Sequence, residues 1–210
     1  LHQALWNSIK VGVIASIIST FIALFAAKAF TRYRVKYSGL SYGAILLPFI
    51  IPEIIIAVAF IVIWTSMGLK LGLVPITISH ILYCTPFCLL ILISRMDGFD
   101  KSLEEASMDL GENIFGTFWR VTFPLLLPGI IASLLLSFVI SFDEFILAFF
   151  LSSSDQTLPI YMWSQLRFPK KLPHVLALGA IIIVATSFIV MLSYWFRNLG
   201  QSNSNRGSHI

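Results

Sequence analysis

Five long apolar runs dominate the chain: Ile9 to Phe30, Leu40 to Trp64, Val74 to Ser94, Phe123 to Leu151, and Val175 to Phe196. About 20 apolar residues in helical form cross the hydrocarbon core of a bilayer, so each run is long enough to span one. None shows the strict alternation of a membrane β-barrel strand. With no water to satisfy backbone groups in lipid, the helix is the remaining solution. Composition agrees. Hydrophobic residues make up 58% of the 210 and charged residues 11%, against roughly 25% charged in an ordinary soluble domain. Fourteen basic and ten acidic side chains cannot coat a soluble surface of this size. The same figures exclude a disordered chain, a disulfide scaffold and a coiled coil. The fold class expected is all-α: a polytopic membrane helical bundle.

The sequence pI is about 9.2, but no nucleic-acid partner follows. Basic residues beside spans are topology signals. Lys28, Arg32, Arg34, Lys36, Arg95, Lys101, Arg120, Arg197 and Arg206 fall on one side, which is therefore expected to be cytoplasmic. Lys10, Lys70, Arg167, Lys170 and Lys171 fall on the other. Five spans then place the first residue outside and the last inside. The chain opens on Leu1 with no signal pattern, so a sixth, N-terminal span is expected to be missing. Residues 1–200 form the transmembrane domain, and the polar tail 201–210 is expected to be disordered. Cys84 and Cys88 lie four apart in an apolar run, as small buried side chains on one helix face do. Pro48, Pro52, Pro75, Pro86, Pro124 and Pro128 remove backbone donors within the runs and can bend helices there.

Residues 95–122 differ from the rest. They hold Asp97, Asp100, Glu104, Glu105, Asp109 and Glu112, six of the ten acidic residues. Lys101 to Leu110 reads as a helix with Leu103, Ala106 and Leu110 on one stripe. Gly111 can stop that helix, and a second short helix, Ile114 to Arg120, carries Phe115, Phe118 and Trp119. Pro124 then permits the start of the fourth span. The loop is long for a link between adjacent spans, and its aromatic side chains need burial. A docking partner answers both points better than a solvated connector does.

Glu105-Ala106-Ser107, three residues, Gly111, nine residues, then Val121-Thr122-Phe123-Pro124 resembles the EAA loop of binding-protein-dependent ABC importer permeases. That loop reads Glu-Ala-Ala, three residues, Gly, nine residues, Ile-x-Leu-Pro. Ser107, Val121 and Phe123 depart from it conservatively. Ser94 to Asp100 and Ser141 to Phe145 are similar to the spermidine/putrescine branch, and the resemblance covers nearly the whole chain. It implies a type I importer permease fold in the bacterial cytoplasmic (inner) membrane. The implied partners are a homologous permease, an ATPase dimer and an extracytoplasmic solute-binding protein. By the resemblance, Glu105, Ala106, Ser107, Gly111 and Pro124 couple the subunit to the ATPase, Glu105 capping or pairing at that interface. No G-x-x-x-x-G-K-S/T loop occurs here. No cofactor is therefore expected in this chain, with ATP and Mg on the partner, and the chain is not expected to be an enzyme itself.

Glu53, Asp143 and Glu144 fall within the apolar runs. A carboxylate at the bilayer centre costs about 2.5 to 3.5 kcal/mol on insertion scales and therefore faces a cavity or a partner. Glu53 is expected midway along the second span. Ser133, Ser137, Ser141 and Glu144 share a helical stripe, with Asp143 about 100° away. The three carboxylates are candidates for lining the path of a cationic solute; helix packing and pairing with a partner subunit are the alternatives. His80 has no second ligand at metal spacing and reads as a hydrogen-bonded packing residue, and no metal site is expected. The segment Leu158 to Lys171 is amphipathic and suits the membrane surface or an external partner. A secondary transporter or channel would use the same carboxylates for ion coupling but needs no docking helix. An intramembrane enzyme lacks any convincing catalytic pattern.

Overall fold

Small side chains decide how the central helices meet. Helix α1 (His2–Arg32) buries Ala4, Ser8, Gly12, Ala15, Ser19, Ala23 and Ala27, spaced three or four apart along one face. Apolar side chains gain nothing by leaving lipid for a neighbouring helix, so association depends on close van der Waals approach, which small residues allow. At Gly12 the approach is close: a Cβ there would lie 3.0 Å from the Phe138 ring. The face is shared by α4 (Leu73–Asp97) and α7 (Phe123–Asp143), and hydrogen bonds stitch the seams. The Ser19 hydroxyl donates to the Ile81 carbonyl at 3.1 Å. Cys84 and Cys88, both free and buried, point their thiols at the carbonyls of Ser137 (3.6 Å) and Ser133 (3.8 Å).

The structure, a computed structural model, describes residues 1–33 and 38–199; among these the regular elements are all helical. The tail 201–210 and Arg34, Lys36 and Arg206 lie outside the described residues. Four helical stretches are long and apolar enough to cross a membrane, or five if one bent pair counts as a span. The bent pair corrects the expected second span. Helix α2 (Ser38–Ile50) and α3 (Glu53–Ser66) meet at 102°. Pro52 cannot donate to the helix before it; it takes an extended ψ of 133° and starts α3 instead. Pro48, by contrast, stays inside α2.

The expected fourth span starts where α7 does, at Phe123, but without a break before it. Helix α5 (Ser102–Asp109) is followed by α6 (Ile114–Thr117), which runs through a π turn (Phe118–Thr122) directly into α7. The far end is corrected: the helix does not continue to Leu151, the chain is extended at Glu144 (ψ 125°), and a separate helix, α8 (Ile146–Leu151), follows. Helix α9 (Leu158–Gln165) then leads to α10 (Leu172–Leu199). The Ser193 hydroxyl of α10 donates to the Ala132 carbonyl at 2.8 Å, while Leu176, Ile181, Val184, Phe188 and Met191 stay exposed.

The bundle has two distinct ends. At one, Asn7 donates to the Gln156 carbonyl (3.0 Å), Leu158 N–H donates to the Ser8 hydroxyl (2.8 Å), and Gly72 N–H donates to the Leu151 carbonyl (2.9 Å). At the other, the C-terminal ends of α1 and α4 gather beneath α5 and α6. That second end carries the acidic loop between α4 and α7.

Candidate functional site

The loop is built as two short helices around a tight turn. The Asp100 carboxylate accepts from Ser102 N–H at 2.9 Å, and Glu104 and Glu105 lie in the first turn of α5, where the helix dipole favours negative charge. Gly111 closes the helix with φ +92°, donating to the Met108 carbonyl at 2.9 Å. A side chain is disfavoured in this region and glycine is not. Asn113 caps α6, its side-chain oxygen accepting from Gly116 N–H at 2.7 Å.

The outer surface of this elbow is apolar. Leu110 is 88% exposed, Phe115 72% and Ile114 62%, with Leu103, Met108 and Trp119 also exposed. Phe115, Trp119, Phe118 and Phe123 form a run of edge and tilted ring contacts. Phe118 turns inward to pack with Leu89, Leu92 and Met96, and the Lys28 ammonium sits 4.5 Å from its ring centroid. Arg120 pairs with Glu112 on the surface.

The motif residues separate by role. Glu105 is exposed, with Lys101 Nζ 4.0 Å away, and Ala106 is exposed beside it. Ser107 is half-buried and shares a hydrogen bond with Thr117 at 3.1 Å. Pro124 lies exposed in the first turn of α7. Sequence reasoning missed Glu104. It is 7% exposed, 2.8 Å from Arg32 Nε, and accepts from the Thr122 hydroxyl at 2.5 Å. One sequence signal pointed to it. Glu104 lies about 100° around α5 from Leu103 and about 160° from Ala106, off the apolar stripe, so whatever covers that side of the helix meets a carboxylate.

The three carboxylates near the other end are not gathered at one point. Glu53 opens α3 at the bend, half-buried, rather than lying midway along an unbroken span. Tyr83 of α4 lies near both Glu53 and Glu144. Asp143 ends α7 and is exposed. It lines a cavity of about 350 Å³ with Phe142, Phe145, Met162, Trp163 and Ile182, and borders a groove that reaches Thr186 and Tyr194. Among the described residues it has no basic partner.

Glu144 is placed differently. It is 6% exposed, and its two oxygens accept from Leu147 N–H (2.8 Å) and Ala148 N–H (3.1 Å), capping α8. His80 Nε2 is 3.1 Å from the same carboxylate, and His80 Nδ1 is 2.7 Å from the Ser141 hydroxyl. Ser133, Ser137 and Ser141 are buried with it, so the polar stripe lies in the seam between helices. His80 is the hydrogen-bonded packing histidine that the sequence suggested.

Residues 19–201 match the family described as binding-protein-dependent transport system inner membrane component. The chain is 30% identical over 194 residues to the spermidine/putrescine transport system permease protein PotC of Escherichia coli (strain K12), covering 92% of this chain and 73% of that protein. It is equally similar, at 30%, to the PotC of Haemophilus influenzae, covering 75% of it. The putrescine transport system permease protein PotI of Escherichia coli (strain K12) is 26% identical over 204 residues. In structure the chain resembles an amino acid ABC transporter crystallised with histidines, with a TM-score of 0.69, 15% identity, and 93% of this chain and 91% of that one covered. That likeness speaks for the fold alone.

Proposed function

Because the chain belongs to the binding-protein-dependent transport system inner membrane components, the permease subunits of ABC importers, we propose that its cargo is a polyamine and that it is driven through the elbow at residues 102–120. It is a multi-pass protein of the inner membrane with a type I permease fold, and ATP hydrolysis belongs to a separate subunit. Members of this class work with an ATPase and a solute-binding protein. A homologous permease completes the pair here, and ATP and Mg are held by the ATPase.

The observation that carries the reading is the exposed apolar elbow. A contiguous apolar patch on a water-facing segment marks an interaction site. Leu110, Ile114, Phe115 and Trp119 have no cover among the described residues, and the turn at Gly111 holds them together. Glu105, Ala106 and Ser107 belong to this docking surface, with Pro124 at the point where it meets α7. Polyamines as cargo rest on the likeness to PotC and PotI and on Asp143 and Glu53, carboxylates that a cationic amine can meet along its path. Glu144, whose oxygens are already engaged, borders that path from behind.

The test is co-purification of the cognate ATPase, followed by uptake of labelled spermidine into proteoliposomes holding the whole transporter. A Leu110→Glu/Phe115→Glu pair should release the ATPase and abolish uptake. Retention of the ATPase on that variant would refute the docking reading. Uptake of other solutes but not of spermidine or putrescine would refute the cargo.

A further inference from the structure

Helix α5 has almost no apolar hold on the bundle that it is meant to move. Glu104 is the one residue of α5 that is buried; Leu103, Ala106, Met108 and Leu110 all face outward. Apart from the chain itself, the buried contacts that α5 makes with the spans are therefore polar. These converge on one carboxylate. One Glu104 oxygen pairs with Arg32 Nε, the other accepts from Thr122.

Each partner is placed at a junction. Arg32 is the last residue of α1, and its Nη2 also donates to the carbonyls of Met96 (3.2 Å) and Phe99 (3.5 Å) at the end of α4. The guanidinium stacks 4.8 Å from the Phe99 ring centroid. Thr122 is fully buried at the end of the π turn, one residue before α7. The Ser107 to Thr117 hydrogen bond adds a second tie to the same stretch. A single buried carboxylate thus joins α5 to the ends of α1 and α4 and to the start of α7. These three helices share the small-residue seams of the bundle.

We propose that Glu104, with Arg32 and Thr122, is the joint that transmits displacement of α5 to the spans, whereas Glu105 on the exposed side serves docking alone. The inference rests on the reading of α5 as the ATPase-docking element. Glu104 acts through Arg32 and Thr122 and so is a positioning residue. A buried pair suits this task because loss of one partner strands the other charge in a low-dielectric setting, which makes the joint stiff against separation.

The experiment uses the assembled transporter in nanodiscs, with Ser187→Cys as a reporter on the groove that Asp143 borders and with Cys84 and Cys88 buried. Reaction with a membrane-impermeant maleimide is compared without nucleotide and with ATP and vanadate. Coupling between distant sites typically amounts to about 5- to 150-fold, so a rate ratio of about tenfold is expected with Glu104 intact. Glu104→Gln keeps the shape and the Thr122 contact but drops the charge. Thr122→Val keeps the volume but drops the donor. In both, the ATPase should stay bound and turn over ATP, while the ratio falls below about twofold. A purely structural role would lower yield or melting temperature and leave the ratio alone. Should Glu104→Gln fail to assemble, Thr122→Val decides. An undiminished ratio in an assembled variant overturns the joint. Failure of the unaltered subunit to hold an ATPase overturns the docking reading instead, and the joint with it.

Discussion

Replacing Gly111 with alanine isolates the turn from everything around it. A Cβ built on Gly111 has nothing within 4 Å, so the substitution creates no collision. The entire effect is in the backbone. At φ +92° an L-residue pays about 1–2 kcal/mol, the penalty of left-handed conformation, and asparagine pays less because its short side chain tolerates that region. Relaxation of the strained turn in the free subunit transfers the penalty to docking, because the elbow must be re-formed before it fits its partner. At about 1.4 kcal/mol per tenfold, the ATPase should bind Gly111→Ala about 5- to 30-fold more weakly than the unaltered chain, with Gly111→Asn between. Titrating purified ATPase onto nanodisc-held permease measures this, and the thermal unfolding of the bundle provides a control that should not move. Binding by the alanine variant within about twofold of glycine would refute the argument that the conformation of this turn sets the docking surface.

Glu53→Gln combined with Asp143→Asn should lower labelled-spermidine uptake while ATPase docking persists; unchanged uptake kinetics would remove these carboxylates from the path. Glu144→Ala should be less stable than His80→Ala by about 1 kcal/mol and so melt lower, because only the former loses the cap on α8; equal melting of the two in detergent would show that the cap contributes nothing. Asp100 should titrate below the usual carboxylate range, because the hydrogen bonds from Ser102 favour its charged form. A lowered folded value means that the contribution to α5 is present above the ordinary carboxylate range and is lost as pH falls through the lowered value. An NMR titration of the Asp100 carboxyl checks this, and an ordinary midpoint would show that the Ser102 contact does not persist.

The spans were legible because hydropathy over about 20 residues needs no knowledge of neighbours. The turn at Gly111 was legible for the same reason, since the motif is local. What escaped was non-local or competitive. Pro48 and Pro52 look alike in sequence, yet one sits inside α2 and the other makes a 102° corner, because only at Pro52 does a new helix begin immediately. The break after Asp143 was hidden inside an unbroken apolar pattern. Glu144 interrupts the helix by bonding the backbone of α8, a choice the side chain makes with His80 from another helix in place. Glu104 was passed over in favour of its neighbour Glu105, since its partners Arg32 and Thr122 are distant in the chain and the motif names only the exposed residue.

The π turn at Phe118–Thr122 also sets an angle. Each residue of an α-helix advances the azimuth by about 100°, and a π turn accommodates one residue more than the α-helical ladder would hold. Were the same five residues wound as an unbroken α-helix, every side chain of the elbow and of α7 would be preserved, yet one would rotate against the other by roughly a quarter of a circle. The apolar knob would then aim at a different quadrant while Ser133, Ser137 and Ser141 stayed turned inward. The nine residues between Gly111 and Val121 therefore act as a phase setting between the exposed apolar face and the membrane seam, and their winding matters independently of their identity.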